Sequence, residues 1–325
     1  MNSSFFKNLG PIRYSFIKEH FESIPIHINE DTRFNEFTSI KNLKVGGLSF
    51  LTDTNFDKEN IISNGTIICS QSTYKKFKND NSLIIVNDLH SAIAKLSNIF
   101  YRSLTYDEIE RLAKPMIGSN CNISQSAIIE NGAVIGKNVR IGGGCSVGYN
   151  CVIGDNTFID SNTVITNSLI AENTHIGRNS SLGQQGFGFA ISKDKNIKIF
   201  HSGRVILQEG VNVGSNCTID RGSFGDTIIG QNTFFDNLCH VAHNVVVGNN
   251  CVFAAMTGIA GSATIGNDVM TGGQVGIAGH IKIGNNVQIA AQSGVLKDIG
   301  NDSSVMGYPA IDKFKYIRKY KKNYA

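Results

Sequence analysis

Three histidines in the second half of this 325-residue chain, His240, His243 and His280, have the type and spacing to move a proton near neutral pH, where imidazole titrates. His243 stands in HVAHNVV, with His240 three residues before it, and His280 follows 37 residues later in GIAGHIKIG. The other five are dispersed: His20, His27 and His90 lie in the first hundred residues, His175 in a turn of the repeat described below, and His201 in a stretch outside it. Two carboxylates accompany the corner histidines, Asp236 in FFDNLCHVAHN and Asp220 in TIDRG. An acid so placed either orients an imidazole or caps a turn, and both readings stand at this point. The chain holds no Walker loop or dinucleotide fingerprint. GQQGFG has the wrong spacing for a phosphate loop and lacks the strand-to-helix setting such a loop needs.

The element that must hold these residues is a repeat of six. Aliphatic residues recur at Ile117, Ile123, Ile129, Ile135, Ile141, Val147, Ile153, Ile159 and Ile165. After a slip the pattern returns at Ile170, Ile176 and Leu182, and again at Leu207, Val213 and Ile219. It then runs unbroken from Ile229 to Val295, with Thr271 its one polar member. Six fits neither the 3.6 period of a helix nor plain strand alternation, but it fits a short strand plus a turn, the hexapeptide parallel β-helix. Three hexapeptides make a triangular coil of 18 residues that climbs one strand spacing, about 4.8 Å, so roughly nine coils give a rod of roughly 40 Å. Gly or Asn at the turns, as in IGKNVR and VGNNCV, is expected to supply the positive φ of tight corners. His243 and His280, two coils plus one residue apart, then fall on neighbouring corners a few strand spacings from each other.

Cys121, Cys145, Cys151, Cys217, Cys239 and Cys251 each precede a repeat aliphatic by two positions, so alternation points them inward. They read as small reduced fillers of a narrow interior rather than as a disulfide framework or metal site. Residues 183–204 abandon the period and form a loop ejected from one corner. Residues 1–105 lack the repeat and mix strand-like TIICSQ and SLIIVND with helix-like HSAIAKLSNIFY, a small α/β domain. The rod is expected over 106–300 and a short basic helical tail over 301–325.

Composition narrows the function classes. Charged residues are 17% and apolar ones 41%, outside the disordered range. No apolar run is long enough to span a bilayer, and the opening MNSSFFKNLGPIRYSF does not read as a secretory signal, so a cytoplasmic protein is the expectation. The net charge of +4 belongs to the tail, where residues 311–325 hold six basic side chains against Asp312. The rest is close to neutral, whereas a nucleic-acid binder more often carries its positive charge as a stripe over a folded face.

The strings DNLCHVAHNVVVGNN, GIAGS, GGQVGIAGHIKIG and MGYPA, together with TIDRG, GFGFA and the first-domain segment GGLSFL, resemble the UDP-3-O-acylglucosamine N-acyltransferase family of lipid A synthesis across about residues 1–310. That resemblance implies a mainly β fold: a left-handed parallel β-helix behind a small N-terminal α/β nucleotide-binding domain, with active sites between the rods of a homotrimer. It implies acyl-acyl carrier protein as donor, with phosphopantetheine carried on that substrate, and neither a tightly bound cofactor nor a metal. His243 matches the family's general base and Gly261 its oxyanion-binding backbone amide. By the same resemblance Asp236 orients the base and His280 supports substrate binding. The uracil-binding aromatic, Asn and Tyr fall on Phe50, Asp53 and Phe56, where Asp53 lacks the amide donor and Phe56 the hydroxyl. Gln185 replaces the usual Asp of the loop motif, and the basic tail suits the acidic surface of an acyl carrier protein.

Other hexapeptide readings are an acetyl-CoA-dependent nucleotide-sugar acyltransferase, a γ-class carbonic anhydrase with histidine-bound zinc, and a non-catalytic rod. The extra first domain argues against the first of these. The three-residue spacing of His240 and His243 argues against a shared zinc, and a rod without chemistry predicts that His243→Ala changes no activity.

Overall fold

The computed structural model describes residues 5–52, 65–76, 82–191, 195–307, 311, 314–315 and 317–318, and it divides into two compact units. The larger, residues 105–187 with 203–325, is the repeat. Among the described residues its short strands, most of them of two residues, stack into three parallel sheets of nine, ten and nine strands, one per face of a triangular prism, wound as a left-handed β-helix. Successive strands on a face pair in register at the expected interval, for example Val246↔Thr264 and Val247↔Ile265. Beyond the first coil the repeat residue of each hexapeptide points inward, so Ile135, Val147, Ile159, Ile229, Val247 and Ile289 are all buried, while Ile117 at the open end is exposed. Inside, Phe235 and Phe253 stack on successive coils with centroids 4.8 Å apart and planes 10° from parallel, a pairing worth about 0.5–1.5 kcal/mol beyond area burial.

The corners divide their work in a way the repeat alone does not reveal. Asn takes the left-handed conformation, with φ of 53° at Asn232, 61° at Asn244 and 57° at Asn250, and adjacent corners bond along the rod: Asn232 Nδ2 donates to Asn250 Oδ1 at 3.2 Å. Most of the rod's glycines serve close approach instead. A Cβ on Gly230 would come within 2.3 Å of the Gly248 carbonyl oxygen one coil on. Five of the six rod cysteines are buried, while Cys121, in the first coils, is half-buried. Burial pushes the Cys151 thiol up to about 12. The rod also runs further than expected: Ser304–Val305 adds a tenth strand to the second face, beside Gln288–Ile289. Most of the basic tail lies outside the described residues.

The smaller unit is residues 1–104 together with 188–202. Its five-stranded sheet runs Ser23–Ile26, Ser82–Val86, Thr66–Ser70, Leu48–Leu51, Phe37–Thr38, parallel except for the first pair. Leu43, Leu51, Ile67, Cys69, Leu83 and Ile85 form one core cluster of this unit. Helix Leu89–Phe100 starts at Asp88, whose carboxylate accepts from Ser91 N at 3.0 Å, an N-cap that satisfies an orphan amide. The segment leaving the repeat after Phe187 folds as part of this unit. Its hairpin, Phe189–Ala190 with Ile197–Lys198, leads to Phe200, whose N–H donates to Ser97 Oγ on the helix at 2.8 Å and whose ring meets Phe6 edge-on at 5.3 Å. Among the described residues no helix is long and apolar enough to cross a membrane.

Candidate active site

The site grows from two neighbouring strands of the third face, Thr218–Arg221 and His240–Val241. Their register, Thr218↔His240 and Ile219↔Val241, turns Ile219 and Val241 inward and sets Thr218 and His240 side by side outside. Thr218 Oγ1 and His240 Nδ1 are 2.7 Å apart, and His240 Nε2 lies 3.8 Å from Asp220 Oδ2. Asp220 faces outward yet is only 6% exposed. Gln184 Nε2 donates to its Oδ1 at 2.7 Å, and Gln184 Oε1 accepts in turn from Ser181 Oγ at 2.9 Å. Burial raises the Asp220 carboxyl above the ordinary carboxylate range, opposed in order by His240, the Gln184 bond, His243 and Arg221. Burial also draws the Arg221 guanidinium down to about 10, and it donates to the Gly183 carbonyl at 3.0 Å.

His243 follows at the corner. Its carbonyl accepts from Ser262 N at 2.9 Å, and the next residue's amide donates to Thr227 Oγ1 at 2.9 Å, so the rod's ladder fixes its backbone. Two glycines leave room for its ring. A Cβ on Gly186 would stand 2.8 Å from His243 Cβ, and one on Gly261 would stand 2.8 Å from both Cε1 and Nε2. His243 Nδ1 meets Asn244 Oδ1 at 3.1 Å. Asn244 Oδ1 also accepts from Ser223 N at 2.9 Å and Ser223 Oγ at 2.8 Å, and Asn244 Nδ2 donates to the Gly225 carbonyl at 3.3 Å. An imidazole whose Nδ1 meets an amide oxygen, with its Nε2 edge against Gly261, is placed to exchange a proton with a group at that edge.

The sequence candidates fare differently. His243 and Gly261 come together, one coil apart on one corner. His280 lies on the same corner rather than a neighbouring one, with its N–H on the Gly261 carbonyl at 3.1 Å. Its φ of 61° aligns it with Asn244 and Ser262, also at 61°, and not with His243. It therefore stands two coil rises, roughly 10 Å, from the Asn244 position. Asp236 does not reach His243. It sits one corner earlier in the same coil, where its Oδ1 accepts from its neighbour Asn237, backbone N at 2.7 Å and Nδ2 at 2.8 Å, and caps that turn. Asp220 is the acid beside the histidines, and Asn244 is the side chain bonded to the His243 ring. The signal for Asp220 was the slip after Ile219: this coil spaces Thr218 and His240 by 22 residues instead of 18. The four extra residues carry the turn that holds Asn244. Phe50, in the smaller unit, is half-buried against Phe37, with centroids 5.6 Å apart. Asp53 and Phe56 lie outside the described residues.

Residues 226–261 and 262–297 match the family described as bacterial transferase hexapeptide (six repeats), and residues 112–223 match the GMPPB C-terminal domain. The chain is 51% identical over 61 residues to the UDP-3-O-acylglucosamine N-acyltransferase of Maricaulis maris, a stretch covering 19% of this chain and 18% of that one. It is 54% identical over 63 residues to the enzyme of the same name from Methylobacterium nodulans, again covering 19% and 18%. The matched stretch thus spans less than a fifth of the length of these curated relatives. Among solved structures, LpxA from Acinetobacter baumannii is 27% identical with a TM-score of 0.52, covering 61% of this chain and 77% of that one. The UDP-N-acetylglucosamine acyltransferase from Campylobacter jejuni is 25% identical with a TM-score of 0.53, covering 61% and 81%. These findings bear out the resemblance over a partial stretch of the chain and assign the repeat to the hexapeptide transferase type.

Proposed function

We propose, for a chain built on the repeats of bacterial hexapeptide transferases, that it transfers a (3-hydroxy)acyl chain from acyl carrier protein to the 2-amine of UDP-3-O-acylglucosamine, giving the 2,3-diacylated nucleotide sugar of lipid A synthesis. The observation that carries this reading is the placement of His243, whose ring lies against Gly261 one coil on; a stretch of about a fifth of the chain that shares about half its residues with named N-acyltransferases supports it. In this mechanism the sugar amine attacks the thioester carbonyl and His243 accepts the proton it sheds, assistance worth typically about 10² to 10⁴ in rate. The Gly261 N–H receives the developing oxyanion, a contact worth roughly 10² to 10³. The tetrahedral intermediate then collapses, the C–S bond breaks, and the imidazolium returns its proton to the phosphopantetheine thiolate. His280, two coils along the same corner, contacts the acceptor sugar, and Phe50 stacks on the uracil. The working form is a cytoplasmic homotrimer, and the basic tail steers the acidic carrier protein.

The test is to incubate the purified protein with UDP-3-O-(3-hydroxyacyl)-glucosamine and a series of acyl-carrier-protein thioesters and to read product mass for wild type and His243→Ala. An amide product that falls by about 10² or more in the variant, with its oligomeric state intact, supports the reaction and its base. Product from acetyl-CoA but from no acyl carrier protein would overturn the donor. No product at any chain length would redirect the search to other nucleotide-sugar acceptors, as Asp53 and Phe56 would then report.

A further inference from the structure

We infer that Asn244, locked by the turn Gly222–Asp226, holds His243 in the Nδ1–H tautomer and so assigns the proton-accepting work to Nε2. The inference rests on the reading of His243 as base and names the nitrogen and its positioning residue. The Asn244 amide is oriented by two groups that cannot exchange roles. Ser223 N–H, 2.9 Å away, is only ever a donor, so the atom it meets is the carbonyl oxygen Oδ1. The Gly225 carbonyl, 3.3 Å away, is only ever an acceptor, so the atom it meets is the amide nitrogen Nδ2. Flipping the amide would set donor against donor and acceptor against acceptor at once. With Oδ1 thus fixed as an acceptor, His243 Nδ1 at 3.1 Å must carry the hydrogen. A neutral imidazole has one N–H, which leaves the lone pair on Nε2, the ring edge that faces Gly261.

The turn is itself braced. Arg204 Nε and Nη2 clamp both oxygens of Asp226, at 3.1 and 2.8 Å, and Arg204 N donates to Asp226 Oδ1 at 2.9 Å. Gly203 N bonds the carbonyls of Gly222 and Ser223 at 3.0 and 3.1 Å. The four residues by which this coil exceeds the 18-residue repeat therefore serve the histidine one coil away, which gives a reason for their interruption of the period.

The experiment is long-range ¹H–¹⁵N correlation NMR on ¹⁵N-histidine-labelled full-length protein without substrate, at a pH where the ¹⁵N shifts themselves show the neutral ring. The His243 signals are assigned by their loss in His243→Gln. Wild type is expected to show the Nδ1–H pattern. Asn244→Gly, which suits the φ of 61° while deleting the amide, is expected to move the ring toward Nε2–H, and Asn244→Asp, which still offers an oxygen, to retain Nδ1–H. In acyl transfer, kcat of Asn244→Gly then falls by the factor by which the Nδ1–H population falls, and Asn244→Asp restores it. An Nε2–H tautomer in wild type, or an unchanged tautomer in Asn244→Gly, overturns the inference. Because the tautomer is read without substrate, a protein that shows the expected pattern yet transfers no acyl chain refutes the proposed function and leaves the inference standing.

Discussion

Gly261→Ala puts the geometry of the site under the most direct strain. The added methyl carbon would lie 2.8 Å from His243 Cε1 and Nε2 and 3.3 Å from Cδ2, where ordinary contact starts at 3.4 Å. The main chain at 261 cannot retreat, because Ser262 N and the Gly261 carbonyl are both committed to the ladder, to His243 O at 2.9 Å and from His280 N at 3.1 Å. The ring has to give by about 0.6 Å, away from Nε2 and against its 3.1 Å bond to Asn244. Misplacement of a reacting group on the order of 1 Å costs about 10² in rate. We expect kcat to fall by roughly that factor, with KM changed much less, because the substitution moves the proton acceptor. Stability should fall by about 1–3 kcal/mol at most, the usual range for overpacking. The assay is steady-state acyl transfer beside thermal denaturation, with Gly300→Ala as control, since a Cβ there meets nothing within 4 Å. Wild-type kcat in a folded Gly261→Ala protein would refute the claim that the reaction depends on the ring position described above.

Three further outcomes are expected. Gly186→Ala should impair turnover in the same sense, since its Cβ would approach His243 Cβ to 2.8 Å and Cδ2 to 3.1 Å; a variant with unaltered kinetics would show that the 183–187 segment yields freely. Asp220 has a raised carboxyl in the folded state, so its contribution to stability is fully present below the unfolded carboxylate value of about 3.9 and is lost as pH rises through the folded value. Asp220→Asn, which cannot ionise, should therefore unfold at higher urea than wild type at pH 7, with the gap closing toward pH 4; a gap that widens on acidification would reverse the sign of the argument. Native alkylation with a thiol reagent should modify Cys121 well before Cys145, Cys151, Cys217, Cys239 and Cys251, as mass spectrometry can follow, and fast labelling of Cys151 would contradict its burial.

Much of the rod was legible in the chain because its interactions are local and repeated. An aliphatic every six residues can satisfy burial only if each strand shows the same face inward, so Ile229 through Val295 fall into place without knowledge of their partners, and the cysteines follow by alternation. The tight corners were foreseen too, although Asn supplies the left-handed φ while many glycines are present because the next coil passes so close. His243 was recognisable as a corner residue for the same reason.

What surrounds His243 depends on how neighbouring coils align, and a slip in the period changes that alignment by amounts that no single hexapeptide announces. Asp236 and Asp220 looked equivalent along the chain, but the pairing of strand Thr218–Arg221 with the strands on either side sets Asp220 against Gln184 and beside His240, while Asp236 spends its carboxylate on its own turn. The amide of Asn244 acquires a direction only when Ser223 and Gly225 close around it. Residues 188–202 leave the repeat and find their hydrogen bonds on Ser97 and Asn98, some hundred residues earlier. Such contacts arise from folding in three dimensions, where a group's partners are set by backbone register and by which donors remain to be satisfied, and neither is a property of the residue's neighbours along the chain.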